Sequence, residues 1–162
     1  MTQISRSSPY GYSLFCDDLR REEGGKVTLV GLYGSDMIIS GSFPAALPKL
    51  ALIVTYIERP GESDEPLELV IYFPGDSDDA PSQRVPLQAE TVEGFRKQQQ
   101  EPEVEDPLLI MRLDLMFTPI VIKQEGRIRV RMVRGDKEIR LGTLRIRAKP
   151  PAIGQTNVQR AD

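Results

Sequence analysis

The sequence contains no histidine, and this absence excludes more kinds of chemistry than any other feature of its composition. Ser-His-Asp and Cys-His catalysis, histidine-containing zinc sites and imidazole pH switches all require the one side chain whose unperturbed pKa lies near neutrality. The single cysteine, Cys16, leaves no internal disulfide and no thiolate zinc site within one chain. The composition therefore favours a binding protein over an enzyme, with no bound metal and no cofactor.

Tryptophan is also absent, and no apolar stretch approaches the roughly 18 residues of a membrane-spanning helix. The first residues, MTQISRSSPYGYSLF, lack the apolar core of a signal peptide. We therefore expect a cytoplasmic protein without a membrane partner. A chain of 162 residues is long enough to form one domain and to bury a core without disulfides or metal ions.

Helix patterns are scarce, and short apolar segments with period-two alternation predict β-strands instead. Residues 10–17 and 26–33 form the first two predicted strands, which the short REEGG segment joins as an antiparallel hairpin. Residues 34–43 either extend the second strand or form a short one after a bulge. The apolar segments LALIVTYIE and PLELVIYFP predict central strands of a sheet.

The segment RIRVRMVRGDKEIRLGTLRIR, residues 127–147, is the clearest hairpin pattern in the sequence. Apolar residues alternate with arginines before the RGDK turn. After the turn the apolar alternation changes phase, and this slip predicts a β-bulge at Gly142 and Thr143. In total, seven or eight strands predict an all-β fold of two packed antiparallel sheets, an immunoglobulin-like or C2-like β-sandwich, with a closed barrel as the alternative.

Residues 74–107 interrupt this pattern with an acidic excursion rich in proline, glutamine, aspartate and glutamate. Loops of this length are often functional or disordered. Its one periodic piece, AETVEGFRKQQQ, predicts a short helix that Thr91 caps, with Val92 and Phe95 on one face. We expect residues 1–149 to form a single domain that includes the excursion, followed by a flexible tail at residues 150–162.

The stretch FCDDLRREEGGK places carboxylates and arginines beside the cysteine. Asp17, Asp18 and Glu22, with Arg20 among them, are candidates for a carboxylate-based metal or enzymatic site. The alternative is a charged turn whose side chains satisfy backbone amides or pair with neighbouring cations, while Cys16 points inward as a small apolar side chain. Without a histidine base the thiol is a poor nucleophile, so the turn is the favoured interpretation.

A second acidic cluster, DSDD at residues 76–79, is a candidate calcium loop. It lacks the glycine and glutamate positions of an EF-hand loop. A solvated loop is therefore the favoured interpretation.

The stretch FCDDLRREEGGKVTLVGLYGSDM, followed by PAALPKL and later by EGR and LGTLRIR, resembles a family of small bacterial proteins of unknown function. A Phe-Cys-Asp-Asp stretch, a Gly-Lys turn and a Gly-x-Tyr strand end recur in that family. The similarity is densest over residues 14–56 and fades through the acidic excursion. It implies a β-sandwich without an assigned activity, so it brings no catalytic residue to this chain.

Charge is distributed unevenly along the chain. Residues 58–106 contain 14 acidic and 4 basic residues, whereas residues 107–149 contain 11 basic and 4 acidic residues. Like charges that face each other across strands are destabilising, so anionic groups are expected near the last hairpin. If its inner face is apolar, six arginines project largely from the other side: Arg127, Arg129, Arg131, Arg140, Arg145 and Arg147.

Three sources can supply the negative charge: the acidic excursion of the same chain, carboxylates of a second subunit or protein partner, or a polyanion such as nucleic acid. The first two are favoured, because the chain is acidic overall and has few aromatic residues on which bases could stack. The sequence thus predicts a non-enzymatic module that works by protein contact or self-association, as a subunit of a larger bacterial or phage-derived assembly. A carboxylate site and a nucleic-acid-binding hairpin are the alternatives.

Overall fold

The computed structural model describes residues 9–61, 64–99 and 108–149. Within these ranges the chain forms strands, one short helix and a 3-10 turn at Glu23–Gly25. The elements are β1 (Tyr10–Arg21), β2 (Val27–Leu32), β3 (Asp36–Ile39), β4 (Ala45–Leu47), β5 (Leu50–Glu58), β6 (Leu67–Tyr72), β7 (Gln83–Leu87), α1 (Ala89–Gln98), β8 (Leu109–Phe117), β9 (Ile120–Ile122), β10 (Gly126–Arg134) and β11 (Lys137–Ala148).

The strands form two larger sheets that enclose the main core, which confirms the predicted all-β sandwich. One sheet has four strands in the order β2-β1-β5-β8, and the other has five in the order β3-β11-β10-β6-β7. The strand pairs are antiparallel except for β3 and β11, which run parallel. A separate pair, β4 and β9, completes the described sheets. The strands outnumber the predicted seven or eight because several are only three to five residues long.

The two segments predicted as central strands are indeed central, but in different sheets. β5 lies between β1 and β8, and β6 lies between β10 and β7. Both faces of β5 are buried: Leu52, Val54 and Tyr56 point into the main core, while Ala51 and Ile53 belong to a second, smaller cluster. This double burial explains why apolar residues occur at nearly every position of the strand.

The first strand is longer than predicted and ends at Arg21. Phe15 faces the main core, whereas Cys16 and Leu19 belong to the second apolar cluster. Cys16 and Leu19 pack with Ala51 on the far side of β5 from the main core. Arg112 of β8 donates to the carbonyl of Gly25 at 3.5 Å, although β8 is not a neighbour of β1 or β2 in the sheet. The end of the β1–β2 hairpin therefore reaches across the outer face of β5 and covers part of it.

The acidic excursion contains more structure than the sequence predicts. Its residues 83–87 form β7, which pairs with β6. The predicted helix is present as α1, with Val92 buried and Phe95 packed against the core. The helix begins before Thr91, and its N-cap residue is Gln88, whose side chain makes no capping bond. The remaining residues 100–107, and the predicted tail at 150–162, lie outside the described residues.

The predicted bulge in the last strand is present one residue earlier than expected. Val130 lies opposite Gly142, whereas Arg131 lies opposite Arg140, so Leu141 is the extra residue. Gly142 has a φ of 138°, a value that side-chain-bearing residues rarely adopt. The glycine therefore permits the phase change that returns Leu144 to the core.

A buried ion pair joins the two sheets at one end. Glu58 closes β5 and Arg134 closes β10, and their residues are only 4 % and 5 % exposed. The Arg134 guanidinium donates to both carboxylate oxygens of Glu58 at 2.5 and 2.6 Å, and to the carbonyl of Glu65 at 2.9 Å. Tyr56 donates its hydroxyl to the same carboxylate at 2.9 Å. The charges therefore have both electrostatic and hydrogen-bonding partners, as buried charges require.

We expect Arg134→Met to destabilise the fold by about 3 to 5 kcal/mol, because it leaves the Glu58 carboxylate buried without its counter-charge. The double variant Glu58→Leu/Arg134→Met removes both charges and should recover much of that loss. Urea unfolding followed by circular dichroism measures both effects. Arg84→Met is the matched control, since it breaks an exposed pair with Glu68 and should cost no more than about 1 kcal/mol. Equal losses for the single and double variants would contradict this interpretation.

Candidate functional site

The outer face of the five-stranded sheet carries a row of arginines. On β10 the core residues Ile128, Val130 and Met132 alternate with outward arginines, as predicted. On β11 the bulge keeps the arginines outward on both sides of Leu141. The resulting arginine face comprises the six predicted residues, Arg127, Arg129, Arg131, Arg140, Arg145 and Arg147, together with Arg84 of β7.

The sequence pattern does not place Arg84 on this face, because it predicts no strand within residues 74–107, where β7 lies. Arg84 lies opposite Val70 in the β6–β7 pair, and Val70 lies opposite Arg131 in the β6–β10 pair. Arg140, Arg131 and Arg84 therefore occupy one row across the sheet. The alternation within QRVPL could have suggested a strand, although Pro86 lowers the strand signal.

Carboxylates of the same chain neutralise part of the arginine face. Four carboxylates do so, and only Asp78 belongs to the acidic excursion. The ion pairs are Arg129 with Asp78 at 2.5 Å, Arg131 with Glu138 at 3.0 Å, Arg84 with Glu68 at 2.6 Å, and Asp36 shared between Arg145 and Arg147.

Two arginines of this face have no carboxylate partner among the described residues: Arg127 and Arg140. Arg127 lies directly opposite Arg145, and Arg140 lies directly opposite Arg131. Each therefore faces a like charge across the strands, and Asp36 at Arg145 and Glu138 at Arg131 offset only part of the repulsion. The face thus retains an excess of positive charge after its internal pairs are counted.

The arginine face also has a compact, largely apolar floor. Val70 is 1 % exposed and Tyr72 is 6 % exposed, although both lie on the outer side of β6. The guanidinium carbon of Arg129 lies 4.4 Å from the centre of the Tyr72 ring, in cation–π contact. The Tyr72 ring and the Asp78 carboxylate therefore hold the Arg129 guanidinium in a defined position.

Asp76 of the DSDD loop stabilises the turn between β6 and β7 through hydrogen bonds. Asp76 accepts hydrogen bonds from the Phe73 amide at 2.8 Å and from the amide and hydroxyl of Ser82 at 2.7 and 2.8 Å. Burial alone would raise the pKa of this carboxyl, but the bonds from Phe73 and Ser82 lower it overall. Asp76 lines a cavity of about 580 Å³ between the ends of β6 and β8. With a lowered pKa it is a weak base for the adjacent Ser82 hydroxyl.

The carboxylates of FCDDLRREE do not converge on one point. Asp17 accepts a hydrogen bond from the Tyr33 hydroxyl, and Asp18 accepts from the Leu19 amide and from Lys49 at 2.8 Å. Glu22 accepts from the hydroxyl of Thr28 at 2.9 Å, and Arg20 is exposed.

Asp17, Asp18 and Arg20 lie within β1, and only Glu22 lies next to the 3-10 turn, so the charged turn is shorter than the sequence predicts. Within the described residues, no group of three or more cysteine, aspartate and glutamate side chains is arranged to hold a metal ion. Cys16 is fully buried, and its burial, followed by the charges of Asp17 and Asp18, raises the pKa of the thiol. The raised pKa disfavours the reactive thiolate.

Comparison with protein-family models, with curated proteins and with solved structures finds no match to this chain. The resemblance to the small bacterial family therefore stays a prediction. In the part of the chain that the structure describes, no helix is both long and apolar enough to cross a membrane.

Asp36 is the carboxylate that most strongly links the arginine face to the edge of the sheet. Hydrogen bonds from Arg145, which reach both carboxylate oxygens, lower the pKa of Asp36 to about 2, and Ser35 and Arg147 act in the same direction. The folded-state pKa lies below the unfolded value of about 4. Asp36 therefore contributes stability that is fully present above pH 4 and is lost as the pH falls through about 2.

We expect the side-chain carboxyl carbon of Asp36 to titrate with a midpoint near 2 when it is followed by NMR. Asp36→Asn should destabilise the fold near neutral pH, and the difference from the native chain should shrink between pH 4 and 2. Urea unfolding at several pH values measures that difference. A midpoint near the ordinary value for aspartate would contradict the assigned contact with Arg145.

Proposed function

We propose that this chain is a non-catalytic binding module whose arginine face holds an acidic segment of a protein partner. The observation that carries this proposal is the pair Arg127 and Arg140. Both face like charges, and both lack a carboxylate partner among the described residues. A bound carboxylate at each position offsets the repulsion with Arg145 and Arg131 and adds charge-assisted hydrogen bonds.

The spacing of these two arginines matches an extended acidic segment. Arg127 and Arg131 are four residues apart on β10, and Arg140 lies beside Arg131, so the two unpaired groups are about 14 Å apart along the strands. Carboxylates four residues apart in an extended chain have the same separation. A partner that presents alternating acidic residues therefore fits the face without rearrangement of the sheet.

Carboxylates of a protein suit this face better than a nucleic acid. Four carboxylates of the same chain already neutralise most of the arginines, and the whole chain has a net charge of −3. A duplex presents a continuous row of phosphates and favours strongly basic surfaces. Tyr72 is buried under Arg129 and offers no exposed ring on which a base could stack.

Such a module fits a cytoplasmic subunit of a larger bacterial or phage-derived assembly, a setting that the lack of histidine and the uneven charge of the chain favour. Arg127 and Arg140 are exposed, so each loses side-chain entropy when a carboxylate binds it. The remaining attraction is between exposed charges and is screened by salt. Binding of a single acidic segment is therefore expected to be weak and salt-sensitive.

The test measures binding of a short peptide in which glutamate alternates with serine, by fluorescence anisotropy at low salt. Arg127→Glu/Arg140→Glu should weaken binding at least about tenfold, because each lost charge pair contributes on the order of 1 kcal/mol near the surface. Arg20→Glu/Lys26→Glu changes the net charge equally at exposed positions away from the face and should leave binding unchanged.

A DNA duplex provides the second arm of the experiment. If the duplex binds with a steep salt dependence through Arg127 and Arg140 while the peptide does not bind, the ligand is a polyanion and the proposal of an acidic protein partner is wrong. If the control variant weakens peptide binding as much as the double variant does, the binding follows net charge alone. That result would also reject the arginine face as a specific site.

A further inference from the structure

β8 is an edge strand: among the described residues it pairs with β5 alone, and α1 contacts it. Gln99 caps one position: its side-chain amide accepts from the Ile110 N–H at 2.8 Å and donates to the Ile110 carbonyl at 2.5 Å. A neighbouring antiparallel strand would make this same pair of bonds. Because alternate residues of a strand orient their backbone groups alike, Arg112, Asp114 and Met116 also present theirs at the open edge.

The sequence of β8, LIMRLDLMF, is nearly symmetric about Leu113. If a second copy pairs antiparallel across a two-fold axis at Leu113, Arg112 lies opposite the partner subunit's Asp114. The same register places Ile110 opposite the partner subunit's Met116. Every pair is then opposite in charge or apolar on both sides, and such cross-strand pairs stabilise a sheet.

The buried carboxylate of Asp114 lacks a hydrogen-bond donor at one oxygen in the single chain. Its side chain is only 10 % exposed, and its Oδ1 accepts no hydrogen bond. The Arg112 Nε lies 3.3 Å from this same Oδ1 and the Arg21 Nε lies 3.9 Å from Oδ2, so the carboxylate is ion-paired within its chain, but neither contact is a hydrogen bond. A buried carboxylate oxygen without a donor is costly. The partner subunit's Arg112 can supply that donor.

The other described edges are less suited to strand pairing. β7 contains Pro86, which lacks an N–H, and β3 has only four residues. β2 is interrupted by Gly31, whose φ of 66° departs from extended geometry. β8, with nine residues and no register shift against β5, is the longest regular edge.

We infer that two copies of this chain pair edge to edge through β8, in antiparallel register about Leu113, and form a continuous eight-stranded sheet from their four-stranded sheets. Arg112 and Asp114 make reciprocal ion pairs across the axis. The backbone of the incoming strand replaces the Gln99 side chain as the hydrogen-bond partner of Ile110. The inference stands on β8 alone and is independent of the ligand of the arginine face.

Charge exchange at the axis gives the decisive test. Arg112→Asp alone places two carboxylates opposite each other, and Asp114→Arg alone places two guanidiniums opposite each other, so each variant should be monomeric where the native chain is dimeric. An equimolar mixture of the two variants should dimerise, because each new charge meets its opposite on the other chain. Light scattering gives the masses, and circular dichroism confirms that each variant is folded.

The mixture separates contacts between chains from contacts within one chain, since residues 112 and 114 remain like-charged within every chain. A native chain that stays monomeric up to about 1 mM would overturn the inference. So would dimers that persist in both single variants, or a folded mixture that stays monomeric.

A backbone test covers the case in which Asp114→Arg does not fold. Met116→Pro removes an N–H that points outward at the edge, so it should spare the bonds to β5 and weaken the dimer at least about tenfold. Met116→Thr keeps the N–H and should retain the dimer. Gln99→Ala removes the competing amide and should tighten the dimer several-fold. A dimer that Met116→Pro leaves intact, or that Gln99→Ala weakens, would overturn the proposed register.

Discussion

The buried pair of Glu58 and Arg134 ties together the ends of the two sheets, one of which carries the arginine face and the other the β8 edge. Each residue closes a central strand of its own sheet, β5 in one and β10 in the other. A buried ion pair is weak evidence for stability, because the desolvation of two charges offsets most of their attraction. Its effect is geometric: the Arg134 Nη2 donates to both oxygens of the Glu58 carboxylate, and this contact holds the ends of β5 and β10 together.

The two sheets distribute charge in different ways. In the five-stranded sheet the outward side chains of β10 and β11 are mostly arginines, and their carboxylate partners come from β3, from β11 itself and from the loop before β7. In the four-stranded sheet the outer side is mostly apolar, and part of it lies under the β1–β2 hairpin. Acidic residues of the part rich in carboxylates, such as Glu68 and Asp78, thus lie on the same side of the sandwich as the arginines.

Local alternation was enough to predict the strands of the last hairpin and its bulge, because one glycine and one change of phase mark that position. The outward arginines follow from the same alternation. Their partners do not: Asp36 reaches Arg145 only because β3 crosses to the other sheet, and Glu58 is separated from Arg134 by 76 positions in the sequence. Long-range pairing of this kind leaves no periodic signal. The polar strand β7 was missed for a related reason, since its cross-strand neighbours and not its own apolar pattern hold it in place.

The symmetry of the β8 pairing has a consequence for the arginine face. A two-fold axis between antiparallel neighbours in one sheet is perpendicular to that sheet, since paired side chains lie on the same side of it. Rotation about such an axis keeps each five-stranded sheet on the side where it began, so the two arginine faces lie next to each other and point the same way. An acidic partner with two suitable segments can then engage both copies at once. The second contact becomes intramolecular, so two weak, salt-sensitive sites can combine into a much tighter one without any new contact.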